Sequence, residues 1–247
     1  MSSVDRISYQ AMRLGARALA ARRLEIEVTD LKHIPAYGPV LLVARHYHHL
    51  FDGIVLLVSI PRPVHILVTL DWVENRYVRR LMTLATTMAR WPVVLRSEAL
   101  RAGDNDDRVR HASAFTSADI NRYQRKAISD SVELLRQSHV LVVFPEGYPN
   151  IDPHSTRKAD PGQFLPFKSG FAAIAAAAEK RLGAKVPLLP IGLAYTKSSR
   201  WTARLNIGEP VYLEDFVSRG PLVDYMEQRV AELSRSDNSL SAGKGRG

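Results

Sequence analysis

Apolar positions along the chain follow two rhythms. Over residues 3–23, Val4, Ile7, Ala11, Leu14 and Ala18 recur at three- and four-residue spacing and form one stripe of a helix, with Arg6, Arg13 and Arg17 on the opposite side. Basic on one face and apolar on the other is the pattern of a helix lying on a membrane surface. The stripe is poor in large residues, which also suits an ordinary helix packed on its own domain. Beyond it, short apolar runs alternate with amphipathic ones. "LEIEV" (24–28), "PVLLVAR" (39–45), "VHILVTL" (64–70), "PVVL" (92–95), "VLVVF" (140–144), "VPLLPIGLAY" (186–195) and "ARLNIGEPVYL" (203–213) read as strands. Residues 75–89, 118–137, 167–183 and 221–235 read as helices, with a shorter one after Asp52. Residues 97–117 are polar and read as a loop, and no internal repeat is visible. The run at 140–144 is continuously apolar, as a strand covered on both faces must be. The alternation predicts an α/β fold: a mostly parallel central sheet covered by helices, with an N-terminal amphipathic helix.

Composition narrows the classes. The 247 residues suit one α/β domain with a sizeable core. There is no cysteine, which removes disulfides, zinc-thiolate sites and a thiol nucleophile. Lys and Arg total 34 against 25 Asp and Glu, a formal charge of +9 that suits an acidic partner: a phosphorylated substrate, an anionic membrane, an acidic carrier or nucleic acid. No known nucleic-acid motif appears, and the basic residues do not cluster with aromatics, so nucleic acid is not expected. No apolar run is long enough to span a bilayer, and "MSSVDRISYQ" lacks the core of a signal peptide, so a cytosolic protein is expected.

Candidate chemistry sits where strands end, the usual place for sites in open α/β sheets. "VARHYHHLFDG" carries His46, His48, His49 and Asp52 past one strand; "VVFPEGYPN" carries Glu146, between Pro145 and Gly147, past another. A histidine oriented by a carboxylate can take a proton from an alcohol. No G-x-S-x-G elbow appears, which argues against a serine hydrolase, so the base would act on a substrate hydroxyl directly. Arg96 closes a third strand, and Lys168 stands at a helix start, where a cation and backbone N–H groups together suit an anion. A metal on His48, His49 and Asp52 is not expected, because no further ligand cluster accompanies them.

Taken together these blocks resemble the glycerolipid acyltransferases typified by bacterial 1-acylglycerol-3-phosphate acyltransferases, over about residues 24–213. "VVFPEG" followed by "LPFKSGFAAIAAAAE" resembles the block that binds phosphate and glycerol, with Glu146, Gly147, Lys168 and Gly170 in place. "PVVLR" resembles the block whose arginine, here Arg96, binds phosphate, and "VPLLPIGLAY" the last block, with Pro187 and Pro190. "GPVLLVARHYHHLFDG" resembles the strand leading into the catalytic block, where the family has histidine, four residues, aspartate. Here the spacing differs. Counted back from Asp52 the base position holds Tyr47; counted forward from the strand it holds His46; and local helix geometry would pair His48 with Asp52 four residues apart. Neither count selects His49. The family's threonine and arginine after Glu–Gly are replaced by Tyr148 and Pro149, which shifts phosphate binding to Arg96, Lys168, or Arg157 and Lys158. "HHLFDG" also fits the H-x-x-x-D-G motif of chloramphenicol-acetyltransferase-like enzymes, a reading the other blocks oppose.

The resemblance implies an acyltransferase domain over 24–236 between the helix at 1–23 and a disordered tail at 237–247. It implies transfer of an acyl group from acyl-CoA or acyl carrier protein to the hydroxyl of a lysophospholipid or related lipid, with no metal or redox cofactor. A histidine would deprotonate the hydroxyl, Asp52 would orient it, and Glu146 and Arg96 would position the acceptor. The expected partners are the lipid acceptor, the acyl donor and an anionic membrane surface, with the protein peripheral on the cytoplasmic face of the cell membrane. The altered spacing leaves a catalytically impaired lipid-binding homologue, or a non-phosphorylated acceptor, as the alternative.

Overall fold

The computed structural model describes residues 3–96, 115–152, 156–160 and 162–235. The expected tail and most of the expected loop at 97–117 lie outside these. The chain runs α1 (Ser3–Arg23), β1 (Leu24–Thr29), β2 (Val40–Ala44), α2 (Phe51–Ser59), β3 (Val64–Ile66), β4 (Val68–Thr69), α3 (Arg76–Ala89), β5 (Val93–Val94), α4 (Ser117–Arg136), β6 (Val140–Val143), α5 (Gly170–Leu182), β7 (Leu188–Lys197), β8 (Trp201–Ile207) and α6 (Arg219–Leu233). A six-stranded sheet has the order β1-β8-β7-β2-β6-β3, and β4 pairs with β5 separately. All pairings are parallel except the β7–β8 hairpin. The sequence had marked both β7 and β8 as strands without their antiparallel turn.

β2 and β6 are adjacent interior strands, and every residue of both is buried. Alternate residues of β2 feed two cores: Val40, Leu42 and Ala44 face α1 and α2, while Leu41 and Val43 face α4, α5 and α6. That is why these strands read as unbroken apolar runs. α6 lies so close to β7 that a Cβ on Gly192 would come within 2.3 Å of the Leu233 backbone. Only glycine admits that approach.

One expectation needs correction, and one open reading is settled in part. The run 64–70 is not one strand: Leu67 N–H donates to Val142 O at 2.9 Å, then Val68 N–H donates to Pro92 O at 2.9 Å, so the chain changes partner and leaves the main sheet. This step carries Asp71 and Arg96 to the ends of the small sheet. On α1, the face that packs inward is Tyr9, Ala16 and Ala20, whereas Ile7 and Leu14 are each 69% exposed. Arg13, on the side opposite the stripe, turns inward and donates to Ile60 O at 3.1 Å. The helix therefore packs on its own domain and still presents its apolar stripe to the outside.

Candidate active site

Because β2 and β6 are parallel neighbours, with Val43 opposite Val143, their carboxyl ends open at the same edge. The two motifs picked out in the sequence therefore meet: His46 N–H donates to Glu146 Oε1 at 2.9 Å. Beyond β2 the chain turns through residues 45–50 and enters α2, placing Asp52 in its first turn, fully buried. The loop is held by its neighbour: Ile151 N–H donates to Tyr47 O at 2.8 Å and His49 N–H to Ile151 O at 3.0 Å.

Asp52 gathers the loop around its carboxylate. Oδ2 lies 2.9 Å from His46 Nδ1 and accepts the backbone N–H of Tyr47 at 2.7 Å and of His48 at 3.1 Å. Oδ1 accepts the Tyr195 hydroxyl at 2.8 Å. An ionised carboxylate only accepts, so Nδ1 of His46 carries the proton and Nε2 is left to take one from a substrate. The His46 ring stacks on Phe144, centroids 4.4 Å apart, which fixes its plane.

His48 is placed differently. Its Nδ1 accepts from the N–H groups of Leu50 and Phe51 at 3.3 and 3.4 Å, covering donors that the start of α2 leaves over. Burial, then its neighbour His49, hold its pKa down to about 4, so the ring stays neutral there. Its ring contacts Phe51 and His49 rather than the carboxylate.

Glu146 stands behind His46 instead of facing an open space. Oε2 accepts Leu165 N–H at 3.0 Å and pairs with Lys158 Nζ at 2.6 Å, both side chains being fully buried. Lys158 also donates to His46 O at 2.7 Å and Asn150 Oδ1 at 2.9 Å. Lys158, a sequence candidate for phosphate, is thus committed to the interior. Burial lowers its pKa, and the Glu146 charge opposes that.

Arg96 lies at the end of β5. Its Nε and Nη2 donate to Asp71 Oδ2 at 2.9 and 2.6 Å, Nη1 donates to Gly147 O at 2.8 Å, and the guanidinium sits 3.9 Å above the Tyr148 ring. Gly147 has φ +77, and a Cβ there would lie 3.4 Å from Lys168 Nζ and 3.9 Å from Arg96 Cδ, so this turn runs between the two cations. Lys168 itself is exposed, two residues before α5 begins at Gly170. The helix starts later than the expected 167 because Phe167 and Lys168 spend their N–H groups on Glu227 Oε2 and Pro145 O.

A cavity of about 1000 Å³ joins these groups. His46, Arg96, Gly147 and Lys168 line its polar end; Ile54, Leu57, Ile66, Leu70, Trp91, Leu95, Ile128 and Ile174 line much of the rest. A general base and two cations beside a long apolar space suit an amphiphile with a hydroxyl near an anionic group. Among the described residues no three His, Asp or Glu are arranged to hold a metal. Asp71 and Tyr195 were missed in the sequence. Asp71 obeys the same rule that exposed Asp52 and Glu146, a carboxylate just past an apolar strand. Tyr195 gave no signal, since a tyrosine in a strand is ordinary.

The family profile for acyltransferases matches residues 25–194, more than half of the chain. The chain belongs to the acyltransferase family. No curated protein sequence matches it. Among solved structures it is similar to the 1-acyl-sn-glycerophosphate (LPA) acyltransferase PlsC from Thermotoga maritima, with a TM-score of 0.58 and 19% identity, over 96% of this chain and 81% of that one. At that identity the likeness speaks for the fold: a mixed α/β structure with a mostly parallel central sheet flanked by helices. Family membership makes the protein an acyltransferase, and the matched stretch includes His46, Asp52, Arg96, Glu146 and Lys168.

Proposed function

We propose that this acyltransferase moves a fatty acyl group from an acyl thioester, acyl-CoA or acyl carrier protein, to the hydroxyl of a lysophospholipid or related glycerolipid. The observation that carries this is the 2.9 Å contact of His46 with Asp52 at the polar end of a large apolar cavity. In the step, His46 Nε2 takes the proton of the acceptor hydroxyl as its oxygen bonds to the thioester carbonyl. The carbonyl re-forms, the C–S bond breaks, and the thiolate recovers the proton from the imidazolium, whose charge Asp52 stabilises. No covalent enzyme intermediate is required, in keeping with a chain that has no cysteine. Arg96 and Lys168 hold the anionic group of the acceptor. Glu146 acts one layer back, bracing the His46 backbone. No metal or redox cofactor has a part in these steps.

The acceptor reaches the cavity from a membrane. Ile7, Ala11, Leu14 and Ala18 on α1 are exposed, and so are Tyr77, Leu81, Leu84 and Met88 at helical spacing on α3. The cavity is lined from the same two helices, by Met12, Ala16 and Leu19 and by Met82 and Thr86. Exposed Arg6, Arg17, Arg76 and Arg80 accompany the apolar rows, which suits an anionic surface. No described helix is long and apolar enough to cross a bilayer, so the proposal is peripheral binding, at the cytoplasmic face of the cell membrane.

Mass-spectrometric turnover of a lysolipid panel with both donor types is expected to give a diacyl product that disappears in His46→Ala. Tight lysolipid binding without turnover would favour the impaired, lipid-binding reading instead. Flotation with anionic vesicles tests the surface: deletion of residues 1–22 is expected to release the protein, and unchanged binding would refute the role of α1.

A further inference from the structure

His46 and Asp52 stand six positions apart, one more than the family spacing the resemblance implies, and the carboxylate is held from two sides. Three N–H donors fill Oδ2, and one of them is the backbone of Tyr47, the residue at the displaced position. The other oxygen is met from the far end of the chain by the Tyr195 hydroxyl on β7. The two tyrosines also stack, ring centroids 5.0 Å apart and 16° from parallel. Trp201 on β8 meets the Tyr195 ring edge-on at 6.2 Å, and the Arg45 guanidinium lies 5.0 Å from the Tyr47 ring. The added residue is therefore absorbed inward, between the carboxylate and a second tyrosine.

We infer that Tyr195 is a positioning residue for acyl transfer: its hydroxyl fixes the rotamer of Asp52 so that Oδ2 faces His46, and its ring holds Tyr47 so that the six-residue offset still yields a working pair. This rests on the reading of His46 as the base. His46 lines the cavity, whereas Asp52 and Tyr195 are not among the lining residues, so Tyr195 acts through Asp52 and not on substrate. Burial, then the nearby Asp52 charge, raise the Tyr195 phenol well above its ordinary range. It stays a donor at every working pH, and a donated hydrogen bond to a carboxylate is the stronger kind.

The test is Tyr195→Phe, which keeps the ring and removes the hydroxyl. The ionisable groups facing the pair are Arg45, His46, Tyr47, His48, Glu146 and Lys158. None is altered, so a change in the pH profile reports on Asp52 and His46. With the hydroxyl gone, Asp52 keeps more of its charge for the imidazolium. kcat is expected to fall about tenfold or more with both KM values within twofold. The acid limb of kcat/KM is expected to move to higher pH, with the protein still folded at the assay temperature. A kcat within twofold of the parent would overturn the inference. So would a uniform loss with an unmoved profile, because fewer folded molecules lower the rate equally at every pH. His46→Ala is run in parallel: if it retains activity the base assignment fails whatever Tyr195 does.

Discussion

Glu146→Gln removes one charge from a fully buried pair and nothing from its shape. In the parent, Oε1 accepts His46 N–H, and Oε2 accepts Leu165 N–H and the Lys158 ammonium. Glutamine offers one acceptor and one NH₂. If its oxygen stays on His46, the NH₂ faces two donors; if it flips, the NH₂ faces His46 N–H instead. Either way a donor meets a donor, and Lys158 is left as a buried cation without its counter-charge. Breaking a buried pair on one side costs about 3–5 kcal/mol, a large part of the roughly 5–15 kcal/mol that holds a domain folded. For a chain of this size that lowers Tm by about 6–20 °C. Thermal unfolding followed by circular dichroism measures it. The double variant Glu146→Gln, Lys158→Met removes the stranded charge and is expected to recover part of the loss. A Tm within about 2 °C of the parent in the single variant would refute the reasoning, since the carboxylate would then not be what holds Lys158. Because the same carboxylate fixes the His46 backbone, kcat should fall even at temperatures where the variant is folded.

Three further outcomes follow from the same geometry. His46→Ala should cost on the order of 10²–10⁴ in kcat, while His48→Ala should keep turnover and lose about 0.5–2 kcal/mol of stability, as removing a helix-start acceptor does; steady-state rates and urea melts separate the two. Arg96→Ala should raise KM for a phosphorylated acceptor more than for the donor, by the loss of a charge-assisted bond of about 1.5–3 kcal/mol, and equal effects on both substrates would mean that Arg96 does not hold the acceptor. His65 is buried beside His139 and its pKa is lowered to about 4, mainly by burial and then by His139. A folded pKa below the unfolded value of 6.5 means that the unfolded chain binds the proton first. His65 therefore stabilises fully above about 6.5, and that contribution, on the order of 3 kcal/mol, drains as pH falls towards 4; urea melts across this window should show it, and His65→Asn should flatten the slope.

The parallel sheet was legible because its central strands must be apolar on both faces, and β2 and β6 advertise that without a break. The β7–β8 hairpin was not, because an apolar run says that a strand is buried and says nothing of its direction. The partner switch after Leu67 was hidden for a similar reason: "VHILVTL" is uniformly β-prone, and only the carbonyls available at Val142 and Pro92 decide where one strand stops. On α1 the bounds were legible, and the two readings of its stripe both hold in part: Tyr9 and the small Ala16 and Ala20 make the close inner contact, while Ile7 and Leu14 lie outside.

The histidine motif shows what spacing can and cannot say. Two counts competed, one from the strand and one from the helix, and the structure honours both on different atoms. The helical count is met by the backbone: Asp52 N–H donates to His48 O at 3.3 Å, and His48 N–H returns to Asp52 Oδ2. The strand count is met by the ring of His46. A side chain has the reach to cross a loop that the backbone does not, so the residue set by the strand supplies the imidazole and the residue set by the helix supplies the cap. Charge around the cavity's polar end follows a comparable rule. Arg96 faces Asp71, Lys158 faces Glu146 and the His46 imidazole faces Asp52, so these three basic groups each stand beside a carboxylate. The excess of basic residues in the composition is therefore not stored there. Three of the five N–H groups of Arg96 are taken by Asp71 and Gly147, and the residues that follow Gly147 are Tyr148 and Pro149 rather than a further cation. An anionic acceptor group is thus left with the remaining Arg96 N–H groups and the exposed Lys168 across Gly147, a weaker hold than two unpaired arginines would give. Under the proposed function this places acceptor binding more on the apolar cavity than on the head group, so that activity across a lysolipid panel is expected to vary more with chain length than with head group.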